Sequence, residues 1–246
     1  MTAFLDTADG RRLAYHRTPG QAPGVVFLGG FRSDMQGTKA LYLEEWAQAQ
    51  GRAFLRFDYS GHGQSSGRFE DGCIGDWLAD ARAILALTDG PQVLVGSSMG
   101  GWIALLLARE LPVAGLVGIA AAPDFTERLW DRLTEAQRDE MRETGRLTRP
   151  SAYGEPYVYT RRLIEDGEDH LVLTRRLELA CPVRLLQGEA DVDVPPSVAL
   201  SLFAHMTGPD IRVTLVKGAD HRFSSAACLD LIAASVADVL GGAPGA

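Results

Sequence analysis

The chain has 246 residues, 46% hydrophobic and 23% charged, which suits one α/β domain carrying a modest insertion. Its 24 basic and 32 acidic residues give a formal net charge of −8, which argues against a general nucleic-acid binder because phosphate contacts need clustered Lys and Arg. No apolar run reaches the roughly 20 residues of a membrane span, and the start, Met1-Thr2-Ala3-Phe4-Leu5-Asp6, has neither a basic segment nor an apolar signal core.

Phe4-Leu5 and Leu13-Ala14-Tyr15 flank Asp9-Gly10, a hairpin turn signal, so the chain is predicted to open with two antiparallel strands. Gly24 to Gly30 is a short continuous apolar run, as expected of a strand buried on both faces. A polar loop (Phe31 to Gly37) and a helix (Thr38 to Gln50) follow, then a strand over Ala53 to Tyr59 that stops at Ser60-Gly61-His62-Gly63. Ile74, Trp77, Leu78, Ala81 and Leu85 recur at helical spacing. Gln92-Val93-Leu94-Val95 is again strand-like and runs through small residues into an apolar helix (Ile103 to Ala108). Further strands are predicted over Val113 to Ala120, Val183 to Gln187 and Ile211 to Val216, with helices over Ser197 to His205 and around Cys228, Ile232, Val236 and Val239.

Alternating strand and helix implies a mostly parallel central sheet with helices on both faces. Residues 123–180 break the alternation with a charge-dense piece holding two helical patterns around Arg149-Pro150-Ser151. They read as an inserted, mainly helical cap over the strand ends, where ligands of such sheets sit. The organisation expected is a core over 1–122 and 181–240, a cap over 123–180 and a flexible tail over 241–246.

At the turn out of the Val93 strand, Gly96-Ser97-Ser98-Met99-Gly100 fits G-x-S-x-G, the elbow that exposes a nucleophilic serine between a strand and a helix. Such a serine needs a base and the base needs an orienting acid, which follow it in the order acid then His. His221 lies directly after the last strand, whereas His205 ends a helix and His170 lies in the insertion. After the preceding strand, Gly188-Glu189-Ala190-Asp191-Val192-Asp193-Val194-Pro195 offers three carboxylates. The Gly-x-x-Asp-x-x-Val-Pro pattern selects Asp191, with Asp193 as the rival. Met99 N–H, next after the nucleophile, and Phe31 N–H, after Gly29-Gly30, are the expected oxyanion donors.

Other features take structural readings. Gly61-His62-Gly63-Gln64-Ser65 lacks a phosphate-loop pattern and reads as a strand-end turn. Arg32, Asp34 and Lys39 read as salt-bridged surface residues, and Phe125, Trp130, Tyr153, Tyr157 and Tyr159 as the cap's own core. Cys73, Cys181 and Cys228 are far apart, in no zinc or redox spacing. Reduced thiols in a cytoplasmic protein are therefore expected, without metal or cofactor.

The ordered serine, acid and histidine resemble those of α/β-hydrolases over essentially the whole chain. Longer stretches resemble one family more closely: Gly37-Thr38-Lys39-Ala40, Arg56-Phe57-Asp58-Tyr59-Ser60-Gly61, Asp89-Gly90-Pro91-Gln92, Gly96 to Trp102, Cys181 to Leu186 and Asp220-His221-Arg222. Together they are similar to the palmitoyl-protein thioesterase and acyl-glucuronide esterase family of α/β-hydrolase domain-containing protein 10. The resemblance implies a serine hydrolase of carboxylic esters or acyl thioesters, acting through an acyl-enzyme on a small-molecule or acylated-protein substrate. The cap matches less well. C–C bond hydrolysis, peptide cleavage, perhydrolysis and a non-catalytic ligand-binding role of the same fold stay open from residue types, whereas dehalogenases and epoxide hydrolases need an aspartate nucleophile where Ser98 stands.

Overall fold

In the computed structural model, residues 1–151, 154–174 and 176–241 are described. The chain runs β1 (Ala3–Asp6), β2 (Arg12–Thr18), β3 (Gln21–Leu28), α1 (Thr38–Ala49), β4 (Arg52–Phe57), α2 (Ile74–Leu85), β5 (Val93–Ser97), α3 (Met99–Glu110) and β6 (Gly115–Ile119). It continues with α4 (Phe125–Asp131), α5 (Glu135–Thr144), β7 (Arg146–Ser151), β8 (Gly154–Thr160), α6 (Arg161–Asp169) and β9 (Leu177–Glu178). It closes with β10 (Val183–Gly188), α7 (Pro196–His205), β11 (Met206–Thr207), β12 (Ile211–Val216) and α8 (Ala226–Gly241).

Eight strands form one sheet in the order β1-β2-β4-β3-β5-β6-β10-β12. The β1–β2 and β2–β4 pairs are antiparallel and the rest parallel. Because side chains alternate along a strand, Val26 and Leu28 of β3 and Leu94 of β5 pack with Trp77, Leu78 and Trp102 on one face. Val25, Phe27, Val93 and Val95 pack with Leu43, Ile232 and Val236 on the other. Both faces are covered, which is why these strands are continuously apolar. The strand order reverses between β3 and β5, and the carboxyl ends of strands at such a reversal form a crevice.

Two glycines let strand and helix meet there. A Cβ on Gly100 would stand 2.1 Å from the carbonyl oxygen of Leu28, and one on Gly96 2.3 Å from that of Gly100. The obstacles are backbone atoms, so a side chain would push β3, β5 and α3 apart. Gly100→Ala is therefore expected to cost about 1–3 kcal/mol, the range for forced overpacking. An unchanged thermal midpoint would contradict this.

The segment between β6 and β10, expected to be mainly helical with helical patterns around Arg149, also contains strands. It has α4, α5 and α6, but Arg149 lies in a strand, and β7 pairs antiparallel with β8. Leu147 is paired with Tyr159 and packs with Met141, Leu133 and Ile164 in a small separate core. Charged residues between the apolar ones hide that two-residue period. Trp130 joins this core, under the guanidinium groups of Arg138 and Arg142. Tyr153 and residues 242–246 of the expected tail lie outside the described residues.

Candidate active site

Ser98 stands between β5 and α3 with φ 54° and ψ −118°, a left-handed region that costs a non-glycine residue on the order of 1–3 kcal/mol. Three backbone hydrogen bonds hold it there. Its N–H donates to the Ile119 carbonyl (2.9 Å), and its own carbonyl accepts from Gly101 (2.9 Å) and Ala122 (3.0 Å). The bend turns the hydroxyl out of the sheet into a cavity of about 720 Å³.

Two loops bring the other groups to it. The loops after β10 and β12 are laced together, Ala190 N–H donating to the Ala219 carbonyl at 3.0 Å. His221 Nε2 lies 3.1 Å from Ser98 Oγ, and its Nδ1 lies 2.8 Å from Asp191 Oδ2. Asp191 is buried. Its Oδ2 also accepts from Gln187 Nε2 (3.0 Å), while Oδ1 accepts from the amides of Asp193 (3.0 Å) and Val194 (2.8 Å). Burial pushes the Asp191 pKa up, but bonds from His221, the Val194 amide and Gln187 outweigh it and hold the group below its ordinary range. The carboxylate is thus charged through neutral pH.

Ligand atoms of Asp191, Asp193 and His221 lie close enough for an ion. Four N–H donors already occupy the lone pairs of Asp191, so the arrangement fits a hydrogen-bond relay better than a metal site. Asp193 contributes its amide to Asp191 and lies on the cavity wall. Among the described residues His170 and His205 are not on that wall. The three cysteines are free and buried. Burial raises the Cys73 pKa to about 12 and that of Cys181 above its ordinary value, leaving these as poor nucleophiles.

Met99 opens α3, so its N–H is among those with no partner inside the helix. The positive end of the helix dipole points the same way. Opposite, a Cβ on Gly30 would stand 3.4 Å from Ser98 Cβ, which sets the Gly29-Gly30-Phe31 turn beside the serine. Phe31 and Met99 both line the cavity.

The Phe31 turn is held from behind by a contact that residue patterns do not disclose. His62 is buried, with Nδ1 donating to the Ser60 carbonyl (3.1 Å) and Nε2 accepting from the Arg32 amide (3.2 Å). Burial lowers its pKa to about 4, so the ring is neutral and keeps that acceptor. Arg32 itself has φ 57°. Gly61-His62-Gly63 is therefore more than a strand-end turn: it ties the loop after β4 to the loop after β3. Asp58 does the same, accepting from Met35 N (2.6 Å) and Gln64 N (2.8 Å).

Two further readings need correction. Of the aromatics expected in the cap's own core, Phe125 and Tyr157 line the cavity instead, while Tyr159 packs against that core and lines the cavity as well; all three rings contact Phe31. Arg32 is exposed as expected, but among the described residues neither it nor Lys39 forms a salt bridge: Arg32 donates to the Pro156 carbonyl (2.6 Å) and Lys39 to that of Arg222 (2.5 Å). Sequence spacing places them beside the loop, but only the fold of residues 146–160 and 217–225 supplies these acceptors.

Known proteins resemble this chain along nearly its whole length. The bovine and human proteins named "Palmitoyl-protein thioesterase ABHD10, mitochondrial" are each 37% identical over 243 residues, covering 97% of this chain and 79% of theirs. Among solved structures, a putative hydrolase from Agrobacterium vitis S4 superposes with TM-score 0.94 at 41% identity, covering 98% of both chains. Mouse α/β-hydrolase domain-containing protein 10 superposes with TM-score 0.91 at 36% identity, covering 98% of this chain and 99% of its own. These relatives overturn the expected cytoplasmic location, because the curated ones are named as mitochondrial. Three reduced thiols show only that no disulfide is needed, and do not tell one reducing compartment from another. Residues 25–235, from β3 into α8, match the Alpha/beta hydrolase family, and the chain belongs to that family, as a hydrolase similar to palmitoyl-protein thioesterases.

Proposed function

We propose that this hydrolase cleaves acyl thioesters and carboxylic esters through an acyl-enzyme on Ser98. The observation that carries the reading is the relay Ser98 Oγ–His221–Asp191, with separations of 3.1 and 2.8 Å. Ser98 Oγ attacks the acyl carbonyl while His221 Nε2 takes its proton, and Asp191 steadies the imidazolium. The Phe31 and Met99 amides hold the oxyanion. As the intermediate collapses, the carbon–sulfur or carbon–oxygen bond breaks and the leaving group departs with the proton from His221. Water then attacks the acyl-serine by the same route, releasing the acid and restoring the hydroxyl.

Residues 123–180 act as a cap in this reading, supported by Phe125, Leu129, Tyr157 and Tyr159 on the wall that Ser98 faces. They supply an apolar lining suited to an acyl chain. The thioester preference is drawn from the relatives, named as palmitoyl-protein thioesterases. Incubation with a fluorophosphonate should give one adduct, on Ser98, and abolish turnover of an S-palmitoyl peptide and of p-nitrophenyl butyrate in parallel. An adduct elsewhere, or turnover by fully labelled protein, rejects the assignment.

His62 then serves as a positioning residue for the oxyanion turn. His62→Leu is expected to lower kcat about ten- to a hundredfold, short of the full loss of one oxyanion donor, with a smaller change in KM. His62→Gln, which can still accept from the Arg32 amide, should recover much of it. Equal kcat in His62→Leu and the native protein would disconnect the turn from the reaction. The same ring sets an acid limit. Its pKa of about 4 lies below the unfolded value of about 6.5, so as pH falls the unfolded chain takes up this proton first. Stability therefore drops from about pH 6.5 down to about pH 4, and His62→Leu should flatten that slope.

A further inference from the structure

The cavity is basic in an acidic protein. Arg32, Lys39, Arg128, Arg132, Arg149 and Arg222 line it, against two acids, Asp34 and Asp193, although the chain carries a net charge of −8. Elsewhere arginines reach carboxylates: Arg56 to Glu44, Arg82 to Glu110, Arg162 to Asp76, and Arg184 to Asp210 and Asp238. Three of the cavity cations instead reach neutral acceptors. Arg32 donates to the Pro156 carbonyl, Arg128 to that of Pro123 and Lys39 to that of Arg222. A carbonyl fixes a cation in place without cancelling its charge.

Arg32, Arg132 and Arg222 are exposed, but Lys39, Arg128 and Arg149 are half-buried, and keeping a charge so is costly. Burial holds Arg128 below the ordinary arginine range, against the pull of Asp124 and Glu127 and with Arg132 adding to the drop. Burial also brings Lys39 down to about 8, against the pull of Asp220 and with Arg222 adding to the drop. Like charges thus act on one another at two places in the cavity lining. An incoming anion relieves that repulsion and meets cations held on carbonyls, and guanidinium forks match phosphate geometry. Several cations favour a multiply charged group over a single carboxylate.

We infer that this basic wall is a subsite for a phosphate-bearing leaving group, held by Arg128, Arg132 and Arg149 on the cap side and by Arg32 and Lys39 on the sheet side. The acyl chain then lies along Phe31, Phe125, Leu129, Tyr157 and Tyr159. The inference rests on the ester and thioester reading of Ser98, and it adds the chemical class of the group that departs.

Three thioesters of one acyl chain test it: the coenzyme A thioester, which carries phosphates; the pantetheine thioester, which carries no charge; and the glutathione thioester, whose charged groups are carboxylates and an amine. The coenzyme A thioester should have kcat/KM at least about tenfold above the pantetheine thioester, an advantage that shrinks as salt is raised. Arg128→Met, and Arg132→Met at an exposed position, should each bring that ratio toward one; a ratio within one protein is insensitive to partial misfolding. Equal kcat/KM for the coenzyme A and pantetheine thioesters, or a ratio unchanged in both variants, overturns the subsite. A glutathione thioester favoured as strongly as the coenzyme A one overturns its phosphate character. If the Ser98 reading itself fails, none of the three is turned over and the fluorophosphonate leaves no adduct there, so the two failures are distinguishable.

Discussion

Replacing Ser98 with alanine is expected to lower kcat by about a million-fold, the loss seen when the serine of a serine–histidine–aspartate relay is removed. That is about 8 kcal/mol of transition-state stabilisation. The variant should still fold. Its strained φ of 54° is imposed by three backbone hydrogen bonds, which alanine retains, and alanine and serine share the same backbone preferences at a positive φ. The thermal midpoint should therefore be unchanged or slightly higher, since stability given up at a reactive site is commonly regained when the site is dismantled. Progress curves on an S-palmitoyl peptide, run beside thermal denaturation, check both parts. A loss below about tenfold with the fold intact would mean that His221 activates water directly and that no acyl-serine forms.

The fold was legible because its two periods are clean. Val25 to Leu28 and Val93 to Val95 are apolar at every position, since helices cover both faces of β3 and β5, and Ile74 to Leu85 keep a helical stripe. The candidate site was legible for a related reason. Ser98, Asp191 and His221 each follow directly on a strand, and strands of a parallel sheet deliver their carboxyl ends to one edge. The chain does not encode distances in its pattern, so the 2.8 and 3.1 Å separations come from the fold. The β7–β8 hairpin escaped because Arg146, Arg149 and Glu155 interrupt its alternation. A capping signal nearby was available: Thr134-Glu135-Ala136-Gln137 forms a capping box at the start of α5. Two contacts had no local signal at all. His62 meets Arg32 thirty residues away, and Arg32 meets Pro156 across 124, pairings that only the packing of three loops creates.

Asp191→Asn offers the sharper test of the relay, because it changes almost no volume. Asp191 presents two oxygens to four N–H donors, namely the Asp193 and Val194 amides, Gln187 Nε2 and His221 Nδ1. Asparagine has only one oxygen. If that oxygen stays with the two amides, its NH2 faces Gln187 and His221. His221 must then accept at Nδ1, which moves its proton to Nε2, and Nε2 can no longer take the proton of Ser98. A wrong tautomer of this kind costs about ten-thousandfold in kcat, or about 5 kcal/mol. Gln187 allows part of the strain to relax, because its Oε1 is buried without a partner among the described residues and an amide flip would turn that oxygen toward the new NH2. The flip takes Nε2 away from the Val194 carbonyl, so it exchanges one lost bond for another and leaves the histidine tautomer wrong. Asp193→Asn is the contrast. It keeps the backbone amide that Asp191 uses and should leave kcat within a few-fold. The acid side of the stability profile should separate them as well. The Asp191 carboxyl is held below its ordinary range, so it contributes stability above the unfolded carboxylate pKa of about 3.9, and this is lost as pH falls through the folded value. Asp191→Asn should lack that acid-sensitive contribution, measured as the change of unfolding free energy with pH. If Asp193→Asn rather than Asp191→Asn carried the ten-thousandfold loss, the acid of the relay would be Asp193, and the hydrogen bonds around Asp191 would be serving only to shape its loop.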